Sequence, residues 1–163
     1  MRLIAVCVGR APKAPEQALC DAYLARARGL GPRLGFSTIE LAVVETSRAS
    51  TAEARAEEEA KRLAKHVPNG AVKIALDEGG EPLSSETLAR ELARLRDSGV
   101  RDVAFIVGGP DGIAPGLRKS AERRLSFGAP TWPHLLVRAM LAEQIYRCLS
   151  VLAGHPYHRA ARL

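Results

Sequence analysis

Asp102-Val-Ala-Phe-Ile-Val-Gly-Gly-Pro-Asp-Gly112 decides how this chain reads. Val103 to Val107 is apolar without alternation, the pattern of a strand buried on both faces. It stops at glycines, where backbone without a Cβ can lie against a ligand. Outward from this stretch the same unit recurs. Leu3–Val8 closes on Gly9, Phe36–Val44 is β-rich, and Ala71–Asp77 ends in Asp77-Glu-Gly-Gly80. Between these runs lie helical patterns over Pro15–Arg28, over Thr51–His66, and from Ser84 or Ser85 to Ser98-Gly99. Ser50 with Glu53 reads as a capping box for the second helix. Its charged face (Arg55, Glu58, Glu59, Lys61, Arg62, Lys65) reads as solvated, with modest (i, i+4) pairs. Beyond the glycines, Ala114–Arg124 reads as a short basic helix and Leu125–Phe127 as a fifth strand. The alternation predicts an α/β fold, a mainly parallel sheet flanked by helices.

At 163 residues, 47% hydrophobic and 26% charged, the chain is expected to be one globular domain, residues 1–163. A net charge of +6 favours a polyanionic partner. Cys7, Cys20 and Cys148 have neither disulfide nor zinc spacing and fit a reducing cytoplasm. The apolar run at the N-terminus is too short for a signal peptide, and no run approaches a membrane span.

Pro133 is expected at the first helical position of a long helix that reaches about Ala153 and stops at Gly154. This helix is apolar almost all round, so a second cover is expected, most simply another copy of the chain. Arg138 and Glu143 are charges on it, free to pair with each other or with a partner subunit. The preceding loop, Phe127-Gly-Ala-Pro-Thr-Trp-Pro133, is an ordinary connection or the wall of a flat ligand's site. Likewise, the Gly108–Gly112 loop alone is a tight turn or one of three converging ligand loops, with those after Leu76 and Phe127. The tail Gly154-His-Pro-Tyr-His-Arg159 is either a frayed end or a place for proton chemistry. His155 and His158 are three apart, but Pro156 interrupts a helix and no further ligand stands near, so no metal is expected.

Four segments in this order resemble the ribosomal RNA large subunit methyltransferase H family, small pseudouridine-N3 methyltransferases of the SPOUT class. They are Ile106-Val-Gly-Gly-Pro-Asp-Gly112, Thr131-Trp-Pro-His-Leu-Leu-Val-Arg138, Leu141-Ala-Glu-Gln-Ile-Tyr-Arg147 and Pro156-Tyr-His-Arg159. The resemblance implies an α/β-knot, with the C-terminal segment threaded into a trefoil knot, and a homodimer packed through the last helix. It implies S-adenosylmethionine as methyl donor and a pseudouridine in helix 69 of large-subunit rRNA, in assembled ribosomes, as target. Carried onto this chain, the cofactor positions are Leu76, Gly108, Phe127, Gly128, Ala129, Pro130, Thr131 and Trp132. Gly128 and Pro130 stand where the family usually carries a serine and a bulkier apolar residue, and Ala160–Leu163 lie beyond its usual end.

The N3 imide proton must leave before methylation. His158, with Tyr157, is the expected proton or orienting group, Arg159 the group for phosphate or developing charge, and Arg138 an anchor for tail or RNA. Arg118, Lys119, Arg123 and Arg124 are candidates for the rRNA backbone. The alternative is a non-catalytic basic RNA-binding module of the same fold. A flavodoxin-like nucleotide enzyme would need a phosphate-cradling loop that this sequence lacks.

Overall fold

A computed structural model describes residues 1–158. The elements follow as β1 (Arg2–Val8), α1 (Pro15–Leu30), β2 (Thr38–Val44), α2 (Ala52–Ala64), β3 (Val72–Pro82), α3 (Ser85–Asp97), β4 (Asp102–Val107), α4 (Pro115–Lys119), β5 (Arg123–Ser126) and α5 (His134–Leu152). The strands form one sheet in the order β2-β1-β4-β3-β5, and every neighbouring pair is parallel. All strand C-termini therefore meet at one edge, and the loops that leave it face one another.

Strand period sorts the core into two layers. Leu3, Ala5 and Cys7 of β1 join a cluster with Leu24 of α1, Leu92 of α3 and Leu141 of α5. Ile4, Val6 and Val8 turn to the other face, where Leu63 of α2 and, half-buried, Leu117 of α4 cover them. β1 and β4 are interior strands, apolar after their first residues (Arg2 and Asp102) because both their faces are covered. The thiols of Cys7, Cys20 and Cys148 are buried and unpaired. Burial pushes the Cys7 and Cys148 thiols up to about 12, so they pack as small apolar groups.

Four boundaries differ from the sequence reading, each for a local reason. The cap of α2 is Thr51 rather than Ser50: its hydroxyl accepts from Ala54 N at 3.1 Å, and Glu53 lies within the first turn. Pro133 stands just outside α5 with extended ψ, as the residue that caps it. β5 begins at Arg123, inside the stretch read as a basic helix. β3 does not end at Asp77: Leu76 and Glu81 both pair with Leu125 of β5, so Asp77–Gly80 arch out between them before the ladder resumes.

The missing wet face of α5 also has a local explanation. Its covers lie within the chain: α1 packs on one side, α3 on another, and the sheet lies beneath. Leu141, Ile145 and Leu149 are fully buried by the chain itself and are not positions of an open interface. Among its half-covered residues, Leu136, Met140, Gln144, Arg147 and Val151 form a stripe at helical spacing. Among the described residues no helix is long and apolar enough to cross a membrane.

Candidate active site

The three loops named from the sequence do converge. A cavity of ≈ 910 Å³ opens at the C-terminal edge of the sheet, within the size range of small-molecule sites. Leu76, Gly108, Phe127, Gly128, Pro130, Thr131 and Trp132 all line it. Ala129 does not; it is exposed at the tip of its loop. The loop after β5 holds itself in shape: Gly128 N donates to Ser126 Oγ at 3.1 Å, and Trp132 Nε1 donates to Phe127 O at 3.3 Å. Trp132 is 38% exposed, so its ring walls the cavity while keeping a face to solvent.

The glycine loop is rigid for reasons the sequence reading did not reach. A Cβ at Gly108 would stand 2.5 Å from the backbone C and O of Gly112, so the loop closes only over a glycine. Asp111, four residues into the same loop region, takes a two-bond grip from Arg55 of α2 (Nε to Oδ2 2.6 Å, Nη2 to Oδ1 2.8 Å). That grip holds the Asp111 carboxyl below the usual carboxylate range.

Behind the loop lies Glu59, 2% exposed, with Oε1 accepting from Ser47 N at 2.8 Å. Its Oε2 has no hydrogen-bond partner among the described residues, and a Cβ at Gly109 would meet it at 2.6 Å. The expectation of a solvated α2 face therefore fails at Arg55 and Glu59, which brace the cavity instead. A signal was present: Ala56, Glu59 and Leu63 fall on one helical stripe, and Ala56 and Leu63 are the buried apolar residues of α2.

Sequence reasoning gave no role to the Asp77 carboxylate, a polar group of the cavity. Asp77 lies there with its carboxylate facing Arg118 (3.5 Å) and Arg124 (3.9 Å), and its Oδ1 accepts from Gly79 N. His134, at the start of α5, lines the same cavity. Burial first, and then neighbouring Arg138, pushes its imidazole down, so it is a neutral polar group at neutral pH.

Arg138 stands behind the cavity rather than in it. It is 2% exposed, with Nη1 donating to Gln17 Oε1 at 2.9 Å and Nη2 to Gly9 O at 2.6 Å. It ties α5 to the turn after β1 and does not pair with Glu143. Glu143 instead accepts from Arg147 at 2.6 Å and from the Tyr157 hydroxyl at 2.9 Å.

The tail is ordered by aromatic packing rather than frayed as far as His158. The Tyr157 ring lies 4.7 Å from Tyr146 and 6.5 Å from Tyr23, with the Arg147 guanidinium 4.8 Å over it. Burial, followed by hydrogen bonds with Tyr23 and Glu143, pushes the Tyr157 phenol up, so it stays protonated and acts as a donor. His158 Nε2 meets Glu86 Oε1 at 2.9 Å, while its Nδ1 is buried with no partner among the described residues. His155 Nδ1 is taken by Tyr157 N, so the two histidines face different partners. Arg159 lies outside the described residues.

None of these tail residues lines the cavity. The cavity touches α5 at His134 and Val137, its first turn, whereas the tail follows its last. A 19-residue helix is roughly 28 Å long. The structure thus gathers the expected cofactor positions and holds the expected proton groups at the far end of α5.

The family described as "Predicted SPOUT methyltransferase" matches residues 1–158. A protein of Rhodopseudomonas palustris named ribosomal RNA large subunit methyltransferase H is 48% identical over 160 residues, 98% of this chain and 100% of its own length. One of the same name from Bradyrhizobium sp. is 44% identical over 98% of this chain and 99% of its own. Among solved structures, a probable methylase family protein from Haemophilus influenzae aligns more distantly, with a TM-score of 0.49 and 10% identity over 98% of this chain and 70% of that one. Matched by its family over residues 1–158 and by relatives over nearly the whole of both chains, this protein belongs to the SPOUT methyltransferase family.

Proposed function

We propose that the protein transfers the methyl group of S-adenosylmethionine to N3 of a pseudouridine in helix 69 of large-subunit rRNA, with assembled ribosomes as substrate. The observation that carries this is the cavity at the C-terminal edge of a parallel sheet, formed by three loops in a SPOUT family chain. Its residues suit the donor. Leu76, Leu125, Phe127 and Trp132 give apolar and aromatic wall, bare backbone at Gly108 allows close approach, and Asp77 offers a carboxylate. The bound donor supplies an already activated sulfonium methyl, so neither metal nor covalent intermediate is required. What remains for the chain is to align N3 with that methyl and to remove the N3 proton.

For that proton the described tail offers His158, since Tyr157 stays protonated. Glu86 holds the ring, and docking of RNA or of a second subunit must re-aim it before Nδ1 takes a proton. Arg159 is assigned to phosphate or to charge developing on the imide. Arg138 is a positioning residue that fixes Gly9 and α5 around His134. Because a chain's own tail lies a helix-length from its own cavity, the tail that completes each site belongs to the other subunit of a homodimer. The half-covered stripe of α5 supports that assembly, as does Leu19, 46% exposed on the neighbouring α1.

The knot belongs to the same proposal, with the C-terminal segment from β5 to α5 threaded through a loop of the chain; the break in the β3 ladder over Leu125, where the chain bends out of the sheet, supports it. Residues 1–163 act as one domain, in a cytoplasm whose reducing conditions suit three unpaired buried thiols.

The test is transfer of labelled methyl from S-adenosylmethionine to ribosomes that lack the mark, with the modified base mapped by mass spectrometry. One methyl on N3 of a helix 69 pseudouridine is expected. Donor binding by calorimetry without any transfer to ribosomes would overturn the substrate assignment; absence of donor binding would favour a non-catalytic RNA-binding module.

A further inference from the structure

We infer that a second concavity, on the α2 side of the same sheet edge, holds the sugar-phosphate backbone of the substrate RNA. This inference rests on the proposed action on rRNA and adds the surface that docks it. The groove measures ≈ 730 Å³ and lies where the chain leaves β1 and β2. Arg10, Arg48, Arg62, Lys65 and His66 bring their side chains to it, against the carboxylates of Glu45 and Glu58.

The carboxylates do not neutralise it. Glu58 is engaged by the Ser47 hydroxyl at 2.6 Å and by Arg62 at 3.3 Å. Glu45 reaches Arg10 only at 3.9 Å, with both side chains mostly in solvent. Among the described residues, neither Arg48 nor Lys65 has a carboxylate within 4.0 Å, and both are exposed. Cations left in this state attract a polyanion and release its counterions on contact.

The cations that the sequence offered for RNA are differently placed. Arg123 is held by Glu81 at 2.7 Å and Glu91 at 2.6 Å, and Arg118 and Arg124 both face Asp77. Arg123 is thus held by two carboxylates and Arg118 and Arg124 share one, whereas Arg48 and Lys65 in the groove have none within 4.0 Å among the described residues.

The groove's chemistry suits backbone rather than bases or a small molecule. Apart from the exposed His66 it presents no aromatic ring on which a base could stack, and most of its lining is exposed. It is also joined to the cavity. Arg55 donates from Nη1 to Ala49 O, in the groove wall, and from Nε and Nη2 to Asp111, in the cavity wall. Arg10 follows Gly9, whose carbonyl Arg138 holds beside His134. An RNA stem with one base in the cavity can therefore run along this rim, its phosphates over Arg10, Arg48 and Lys65.

The experiment compares the unsubstituted protein with the double variant Arg48→Glu/Lys65→Glu in methyl transfer to ribosomes at several salt concentrations. The control Arg33→Glu/Arg101→Glu makes the same charge change at exposed positions by the opposite edge of the sheet. For the groove variant the KM for ribosomes should rise about tenfold or more, and the salt dependence of log(kcat/KM) should flatten by about 2. Its kcat, its S-adenosylmethionine Kd and its size by light scattering should not change. Arg48→Gln/Lys65→Gln should show the same effect at smaller size, and serves if the charge reversal folds poorly. A ribosome KM and salt slope equal to those of the control would overturn the inference while leaving the proposed activity standing. Dissociation of the oligomer would also overturn it, by making this face a contact between copies. Absence of transfer by the unsubstituted protein would instead remove the proposed activity itself.

Discussion

A chain cut before His155 is expected to bind S-adenosylmethionine within about twofold of the intact protein and to transfer methyl at least about 100-fold more slowly. The two halves of this expectation come from different places in the fold. The residues that wall the cavity all lie between Leu76 and Val137, and the cut removes none of them. The groups proposed for the proton all lie beyond the cut. Some stability should go with them, because Tyr157 leaves its packing on Tyr146 and Tyr23; about 1–2 kcal/mol is the expected scale. Calorimetric titration, thermal unfolding and single-turnover transfer measure the three quantities separately. Within the tail, His158→Ala should by itself slow the chemical step about 100-fold if its imidazole takes the proton. Tyr157→Phe keeps the aromatic packing and removes only the donation to Glu143, so it should cost far less. Full activity after the cut would move proton removal elsewhere, with the neutral His134 in the cavity as next candidate.

Gly108→Ala should act in the opposite sense, with donor binding lost first. The added methyl has no room against the backbone of Gly112, so the loop must open, and Asp111 with its grip on Arg55 moves with it. An affinity loss of roughly 100-fold, or about 3 kcal/mol, is expected, with folding weakened by about 1–3 kcal/mol. The clash is therefore with the protein's own loop and arises before any ligand enters, so even the smallest side chain suffices. Gly116→Ala is the matching control: nothing lies within 4 Å of a Cβ there, and the position is helical. That variant should bind the donor normally and unfold no more easily. Normal donor affinity in folded Gly108→Ala would take this loop out of the site.

The parallel sheet and the meeting of three loops were legible because they rest on patterns of residue type. Apolar runs without alternation at Leu3–Val8 and Val103–Val107 signal strands covered twice, and glycines at their ends mark the edge where a ligand can approach. The α5 helix shows where such patterns mislead. Apolar residues all round say that a helix is covered, not by what, and α1 and α3 of the same chain supply most of the cover. Glu59 shows a second gap. A carboxylate in a run of charges reads as solvated, and only its phase with Ala56 and Leu63 hints that it turns inward. Pairings between distant residues, such as Arg55 with Asp111 or His158 with Glu86, leave no local trace at all. The resemblance supplied the cofactor and the expectation of a knot, which residue patterns alone would not suggest. The separation of tail and cavity was implicit in the sequence, which puts one loop before α5 and the tail after it; the structure shows that the tail does not fold back to the cavity.

That separation calls for a site shared between two subunits, and mixing two crippled chains separates this arrangement from a site within one chain. One chain carries Gly108→Ala, with a spoiled cavity and an intact tail; the other lacks residues from His155 onward, with an intact cavity and no tail. Each alone should be inactive. After subunit exchange, verified by native mass spectrometry, half the dimers are mixed and one of their two sites joins a sound cavity to a sound tail. Methyl transfer to ribosomes should then return to about one quarter of the unsubstituted rate, as expected for a two-fold dimer. If each tail serves its own cavity, no mixed dimer contains a complete site, and a mixture that stays inactive after full exchange would contradict the account.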